Sequence, residues 1–281
     1  CVEGFCPSFV TIEGGQRRKP SPKANADLLA GYVAKLKRQE PNELTGTHDV
    51  IVTGVGGTGV ITVGQLMTMA AHLEGKGASV LDFMGFAQKF GPVISYVRLA
   101  PTPAQINQVR IDTACADALI GCDLVVSTSP KASAAYRPGL TKAVVNLAQM
   151  PTGDFTLNPD ADLKMDTRYQ SLQGVLGANA LHGLDANGAA VRFLGDSVYA
   201  NILLLGYAWQ QGLVPLSLTA LMRAIELNGV AIDANKDAFD WGRVLFENPD
   251  ILTAPPAADN TPTDKALSAR HAEFLSRYQD A

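Results

Sequence analysis

The stretch from His48 to Val60 restricts what this chain can fold into more than any other. Val50 to Val52 is a β-branched run, the loop after it carries Gly54, Gly56, Gly57 and Gly59, and an apolar, helix-capable run begins at Val60. The order is therefore strand, glycine-rich turn, helix. Glycine is needed where the backbone turns sharply with positive φ and where strand and helix must approach without a Cβ between them. The same turn aims backbone N–H groups and the positive end of a helix at one point, where an anionic group can sit. Gly54, Gly56 and Gly59 fit the G-x-G-x-x-G spacing, with Gly57 and Thr58 inside the loop. Asp82, at the end of the next strand-like run Ala78 to Phe83, is placed to meet a ribose hydroxyl. A tight first βα turn favours glycine even without a ligand, so the fold follows from this stretch more directly than any bound molecule does.

The chain has 281 residues, 47% of them hydrophobic and 18% charged, which allows a substantial core in one large domain or two modest ones. A formal charge of −4 gives no electrostatic footprint for nucleic acid. No apolar run approaches the length of a membrane span and no signal peptide precedes the first strand, so a cytoplasmic protein without membrane contact is expected. Cys115 and Cys122 lie in or beside an apolar stretch, where buried free thiols are expected. Cys1 and Cys6 sit in a Gly/Pro-containing segment. Two cysteines alone do not complete a zinc or iron–sulfur site, which takes four ligands, and a structural pair without metal is the other reading.

The remaining pattern predicts an α/β fold, Rossmann-like and doubly wound, with a mostly parallel sheet and flanking helices. After a strand at Phe9 to Ile12 and a polar linker at Gly14 to Lys23, a helix is expected from about Asn25 to Gln39. A second helix should run from Gly59 to Leu73, with His72 on its surface or at its cap, and strands at Ala78 to Phe83 and Val93 to Leu99. Ala114 to Ile120 reads as helical, and Asp123 to Ser127 as a buried strand whose polar continuation, Ser127 to Pro130, would border a crevice. Ala143 to Asn146 is a further strand, and Pro151 to Lys164 a loop or lid. Helices follow at Tyr199 to Gln211, buried all round, from Ser217 to an Asn228-Gly229 stop, and at Ile232 to Val244. Ala254 to Pro262 is a linker, and Leu267, His271, Phe274, Leu275 and Tyr278 line a last helix. Both ends read as pieces of neighbouring domains. The expected divisions are 1–23, 24–253 and 254–281.

Three blocks carry a resemblance. Gly54 through Val60, Ala71 through Asp82 and Gly85 through Lys89 resemble the gamma domain of 2-oxoacid:ferredoxin oxidoreductases. Arg223 through Ala231, with Asn235, Lys236, Ala238, Phe239 and Trp241 through Arg243, is similar to the indolepyruvate branch in its fused bacterial form. Cys1 through Val10 resembles the end of that enzyme's thiamine-diphosphate domain, and Phe274 to Asp280 the start of its C-terminal region. The resemblance implies oxidative decarboxylation of a 2-oxoacid, indolepyruvate or another aryl pyruvate, to an acyl-CoA, with electrons passing through iron–sulfur clusters to ferredoxin. It implies thiamine diphosphate, Mg2+ and 4Fe–4S clusters in neighbouring domains, CoA as co-substrate, a homo-oligomer, and a gamma domain inactive alone. Gly54, Gly56, Gly57, Thr58, Gly59, Asp82, Gln88 and Lys89 become the cofactor-side candidates, and Cys1 and Cys6 candidate ligands of a cluster completed upstream. Two alternatives stay open: an independent NAD- or FAD-binding oxidoreductase domain, and an assembly module whose glycine loop is structural only.

Overall fold

In a computed structural model, which describes residues 22–57, 59–84, 91–149 and 162–252, the apolar run before the glycines forms β1 (His48–Val55), buried from Asp49 onward. The glycine loop leads into α2 (Val60–Leu73) and then β2 (Gly77–Met84), as expected. An N-terminal helix, α1 (Pro22–Val33), precedes them and is shorter than its sequence pattern suggests. Past Val33 the chain tightens into turns, with Lys35 N–H on Tyr32 O and Leu36 N–H on Val33 O. The Gln210 side chain then holds Lys37 O, a tertiary contact that no local periodicity foretells.

β3 (Pro92–Ala100) is followed by β4 (Ala118–Gly121), α3 (Leu124–Ser127), α4 (Pro130–Ser133) and β5 (Lys142–Asn146). Here two expectations are corrected. The strand is Ala118–Gly121, overlapping the run Ala114 to Ile120 read as helical, and Leu124–Ser127, within the run Asp123 to Ser127 read as a strand, is one helical turn. Short apolar runs do not declare their period. The choice is made by pairing, Val50 opposite Ala118 and Ile51 opposite Leu119, and by Asp123, whose Oδ1 accepts the Val126 N–H at 2.8 Å and turns the chain into a helix. α5 (Met165–Leu176), β6 (Leu181–Leu184) and α6 (Ala186–Leu194) fill the span before the helix expected from Tyr199. β6 holds only four residues, with His182 and Gly183 at its centre, and is a strand because β5 offers an open edge to it.

The sheet order is β2-β3-β1-β4-β5-β6. β1, β4, β5 and β6 pair in parallel, while β3 runs antiparallel to both β1 and β2. The sheet is thus mostly parallel, with one reversed strand wedged between β1 and β2. Ser95 and Val97 of β3 face Gly64 of α2, whereas Ile94 and Tyr96 join the opposite core with Ile51, Leu119, Leu124, Val126 and Tyr136. The connection leaving β1 therefore crosses one face and that leaving β4 the other. Such a reversal marks the position where open α/β sheets place their crevice.

On the α2 face lie α7 (Ala200–Gln210), α8 (Leu218–Asn228) and α9 (Ile232–Glu247), close to their expected spans. Every residue of α7 is buried, as an apolar circumference requires. Ser217 caps α8 and Gly229, with φ 73°, ends it. α7 and α9 meet backbone to backbone: a Cβ on Gly206 would strike Phe239 O, and one on Gly242 would strike Leu203 O. Trp241 stacks on Phe193 at 4.0 Å between ring centroids, closing α9 against α6. Residues to Asn248 form one compact unit; a second begins at Pro249, where Pro249–Ile251 makes a 3-10 turn. Among the described residues no helix is long and apolar enough to cross a membrane. The expectations for Phe9 to Ile12, for most of Pro151 to Lys164 and for the residues after Leu252 fall outside the described residues.

Candidate functional site

The glycines of the first turn do different jobs. A Cβ on Gly54 would lie 2.5 Å from Val60 Cγ2 and 2.9 Å from Cys122 Cβ, so this glycine lets β1, the start of α2 and the end of β4 converge. Gly56 donates its N–H to Gly91 O at 2.7 Å, tying the loop to the entry of β3. Gly57 and Gly59 have φ of 90° and 92°, a region that side-chain-bearing residues rarely adopt. Gly59 is also the N-cap of α2, and having no side chain it leaves the first helical turn without a side-chain cap. Those amides and the positive end of a fourteen-residue helix remain directed outward. Beside them a cleft of ≈ 280 Å³ runs from Gly57 and Gly59 along the Thr62 and Leu66 side of α2; Asn201, Asn228 and Asn235 give it polar groups, and Leu66, Val198, Ile202, Ile225 and Val230 make much of its wall apolar. This lining suits a ligand with an anionic end at the glycine loop and a partly apolar body.

Asp82 does not join this cleft. β3 stands between β2 and β1, which puts Asp82 about 10 Å, two strand spacings, from the strand that carries the glycines. Its Oδ1 accepts the hydroxyl of Ser95 instead. Thr58, Gln88, Lys89, Cys1 and Cys6 lie outside the described residues. Cys122 is buried as expected and burial pushes its thiol up, but Cys115 is exposed, with its Sγ on Thr113 O, because the backbone there turns through Ala114 at φ 53° before β4 begins. His72 is exposed in the last turn of α2, in keeping with a surface role.

The polar residues after β4 are engaged in the fold. Ser127, fully buried, shares a 2.8 Å hydrogen bond with Thr53 and receives the Tyr136 hydroxyl on its carbonyl. Thr128 accepts from Arg168 at 2.8 Å, and Ser129 caps α4. Asp123, which pattern reasoning passed over, is the unusual group. It is fully buried beneath Gly54, and its Oδ2 has no hydrogen-bond partner. Burial raises its pKa, against the pull of the Val126 and Val125 amides and of Arg168. An Asp directly after a buried strand was the available signal. Among the described residues no three His, Cys, Asp or Glu side chains gather into a metal site.

A doubly wound α/β domain with a mostly parallel sheet and a glycine-rich first βα turn defines the class. Residues 49–245 match the family described as pyruvate ferredoxin/flavodoxin oxidoreductase, and the chain belongs to that family. It is similar to the indolepyruvate oxidoreductase subunit IorB of Pyrococcus horikoshii, 26% identical over 202 residues that span 69% of this chain and 94% of the relative, and equally to that of Thermococcus kodakarensis. Its fold is similar to that of the pyruvate oxidoreductase subunit PORC of Thermotoga maritima, with a TM-score of 0.50, 20% identity, and coverage of 71% of this chain and 96% of that one. The 2-oxoglutarate:ferredoxin oxidoreductase of Magnetococcus marinus has the same fold within a longer chain, with a TM-score of 0.51, 16% identity, and coverage of 76% and 32%. The chain is accordingly a gamma-type part of a 2-oxoacid:ferredoxin oxidoreductase.

Proposed function

We propose that this chain supplies the glycine-loop face against which the thiamine-diphosphate domains of such an enzyme and its CoA assemble, and that the oxidised substrate is an aryl pyruvate such as indolepyruvate. The observation that carries the reading is the uncapped N-terminus of α2 beside a cleft that runs from Gly57 and Gly59 and combines asparagine side chains with an apolar wall, within a chain of this family. Bound in its own domains, thiamine diphosphate acts as the electron sink for decarboxylation. Mg2+ and the iron–sulfur clusters are assigned to neighbouring domains of the enzyme, with Cys1 and Cys6 as candidate ligands of one cluster. This chain's part is to seat an anionic portion of CoA on the α2 amides and to hold it with the neutral Thr62 and asparagine side chains. Ferredoxin, the partner subunits or domains and a cytoplasmic setting complete the proposal.

A nicotinamide dinucleotide is the less suited ligand. It needs an acid at the end of the strand beside β1 for its ribose; Asp82 lies one strand further off and is engaged by Ser95, and Asp123, after the other neighbour β4, is fully buried. The test is CoA-dependent ferredoxin reduction by the assembled enzyme, with Gly57 intact and replaced by Val. Turnover should fall in the variant while thiamine diphosphate stays bound. Micromolar NAD binding that disappears in Gly57→Val would replace this reading with a dehydrogenase, and unchanged kinetics would leave the loop a tight turn.

A further inference from the structure

A second cavity, of ≈ 410 Å³, opens at the same end of the sheet as the glycine loop. Val55 at the end of β1 pairs with Pro92, and Met84 at the end of β2 pairs with Val93, so the strand ends that border the loop also border this cavity. It lies on the other face, where Ile94 points away from α2. Phe83, Met84, Pro92 and Ile94 make an apolar wall, and Ser129 and Lys131, from the start of α4, make the polar side. The wall is preorganised: the Phe83 ring is held edge-on by Tyr96 at 5.1 Å between centroids, and Tyr96 is itself buried.

Lys131 is the informative residue. Its ammonium sits 3.7 Å from the centroid of the Phe83 ring, and among the described residues no carboxylate pairs with it. Met84 is 63% exposed at the rim. Met84 and Pro92 are exposed beside a half-buried Phe83 whose ring lies under Lys131, and an exposed apolar edge next to a cation that no carboxylate among the described residues pairs favours a ligand that answers both at once. A flat ring covers Met84 and Pro92 beside Phe83, and a carboxylate on the same molecule reaches the ammonium. A neutral ring would cover the edge without an anion for Lys131, and a small aliphatic acid would leave the edge wet. The volume accommodates a one- or two-ring acid.

We propose that the Phe83–Lys131 cavity binds an aromatic carboxylate, with its ring on Met84 and Pro92 beside Phe83 and its carboxylate on Lys131 Nζ. Its identification with an aryl 2-oxoacid or its product rests on the function proposed above; the binding itself does not.

The experiment titrates the 281-residue chain with three probes by calorimetry and ligand-observed NMR: indole-3-acetate, tryptophol, which keeps the ring without the carboxylate, and acetate. Indole-3-acetate should bind more tightly than either of the others. Lys131→Gln, a change at an exposed position, should weaken indole-3-acetate about fivefold and leave tryptophol unchanged. Met84→Ser should weaken both ring-bearing probes. Undetectable binding of indole-3-acetate, affinity for it unaltered by Lys131→Gln, or acetate binding as well as indole-3-acetate would each overturn the proposal. Binding with this variant pattern in a protein whose assembled enzyme does not reduce ferredoxin would uphold the site and remove the proposed function. Ferredoxin reduction from an aryl pyruvate without such binding would uphold the function and remove the site.

Discussion

Arg98 lays its guanidinium on Asp49 through two hydrogen bonds of 2.7 Å, Nε to Oδ1 and a terminal nitrogen to Oδ2, with both residues buried. Asp49 is the second residue of β1 and Arg98 lies opposite it in the antiparallel β3. The pair therefore fastens the reversed strand to the strand that carries the glycine loop. Removing one partner leaves a buried charge alone, so Asp49→Ala or Arg98→Ala should cost about 3–5 kcal/mol. Replacing both together by apolar residues of similar volume should recover most of that loss. Urea unfolding of the three variants checks this, and single variants within error of the wild type would show that the pair contributes nothing.

At Gly57 the strain in a bulky variant is conformational. No atom lies within 4 Å of a Cβ built there, yet φ is 90°. Gly57→Val should destabilise by about 1–3 kcal/mol, and Gly57→Asn by less, since Asn tolerates left-handed backbone. Gly54→Ala should fail for the opposite reason, crowding by Val60 and Cys122. Thermal unfolding that ranks Val no worse than Asn at position 57 would contradict this account.

The α7–α9 crossing should not tolerate a methyl group. Alanine is the better helix former by about 1 kcal/mol, but at Gly206 or Gly242 its Cβ meets the backbone of the partner helix. Overpacking of this kind costs about 1–3 kcal/mol, so Gly206→Ala and Gly242→Ala should each lower the unfolding midpoint. A stabilised Gly206→Ala would mean that the helices slide apart freely.

Asp123 gives a pH dependence with a defined sign. Burial holds its folded pKa above the unfolded value of 3.8. The native state therefore favours the protonated form, and stability present at low pH is lost as pH rises through the folded pKa. Asp123→Asn keeps an acceptor for the Val126 amide and removes the titration. Its stability relative to the wild type should rise with pH from about 4 upward. A constant difference between the two proteins across that range, measured by urea unfolding, would show that the Asp123 carboxyl is not perturbed.

Much of the architecture was written locally. Val50 to Val52 with the following glycines dictated strand, turn and helix, because those residue types have few other low-energy arrangements. The apolar circumference of Ala200 to Gln210, and Ser217 with Gly229 bracketing α8, set helix positions for similar reasons. The resemblance carried by the blocks around Gly54, Asp82 and Arg223 led to the family. Sequence alone did not decide which strands lie side by side. That Val93 to Leu99 runs backward between β1 and β2 depends on long-range pairing, which leaves no mark within a strand. This placement took Asp82 from the glycine loop and gave it to Ser95. Likewise the apolar residues Ala118 to Ser127 suited strand or helix equally, and the edge of β1 together with the Asp123 cap made the choice. Asp123 beneath Gly54 and Lys131 over Phe83 are products of the same packing. Chemistry that depends on residues distant in sequence becomes defined only when the sheet order brings them together.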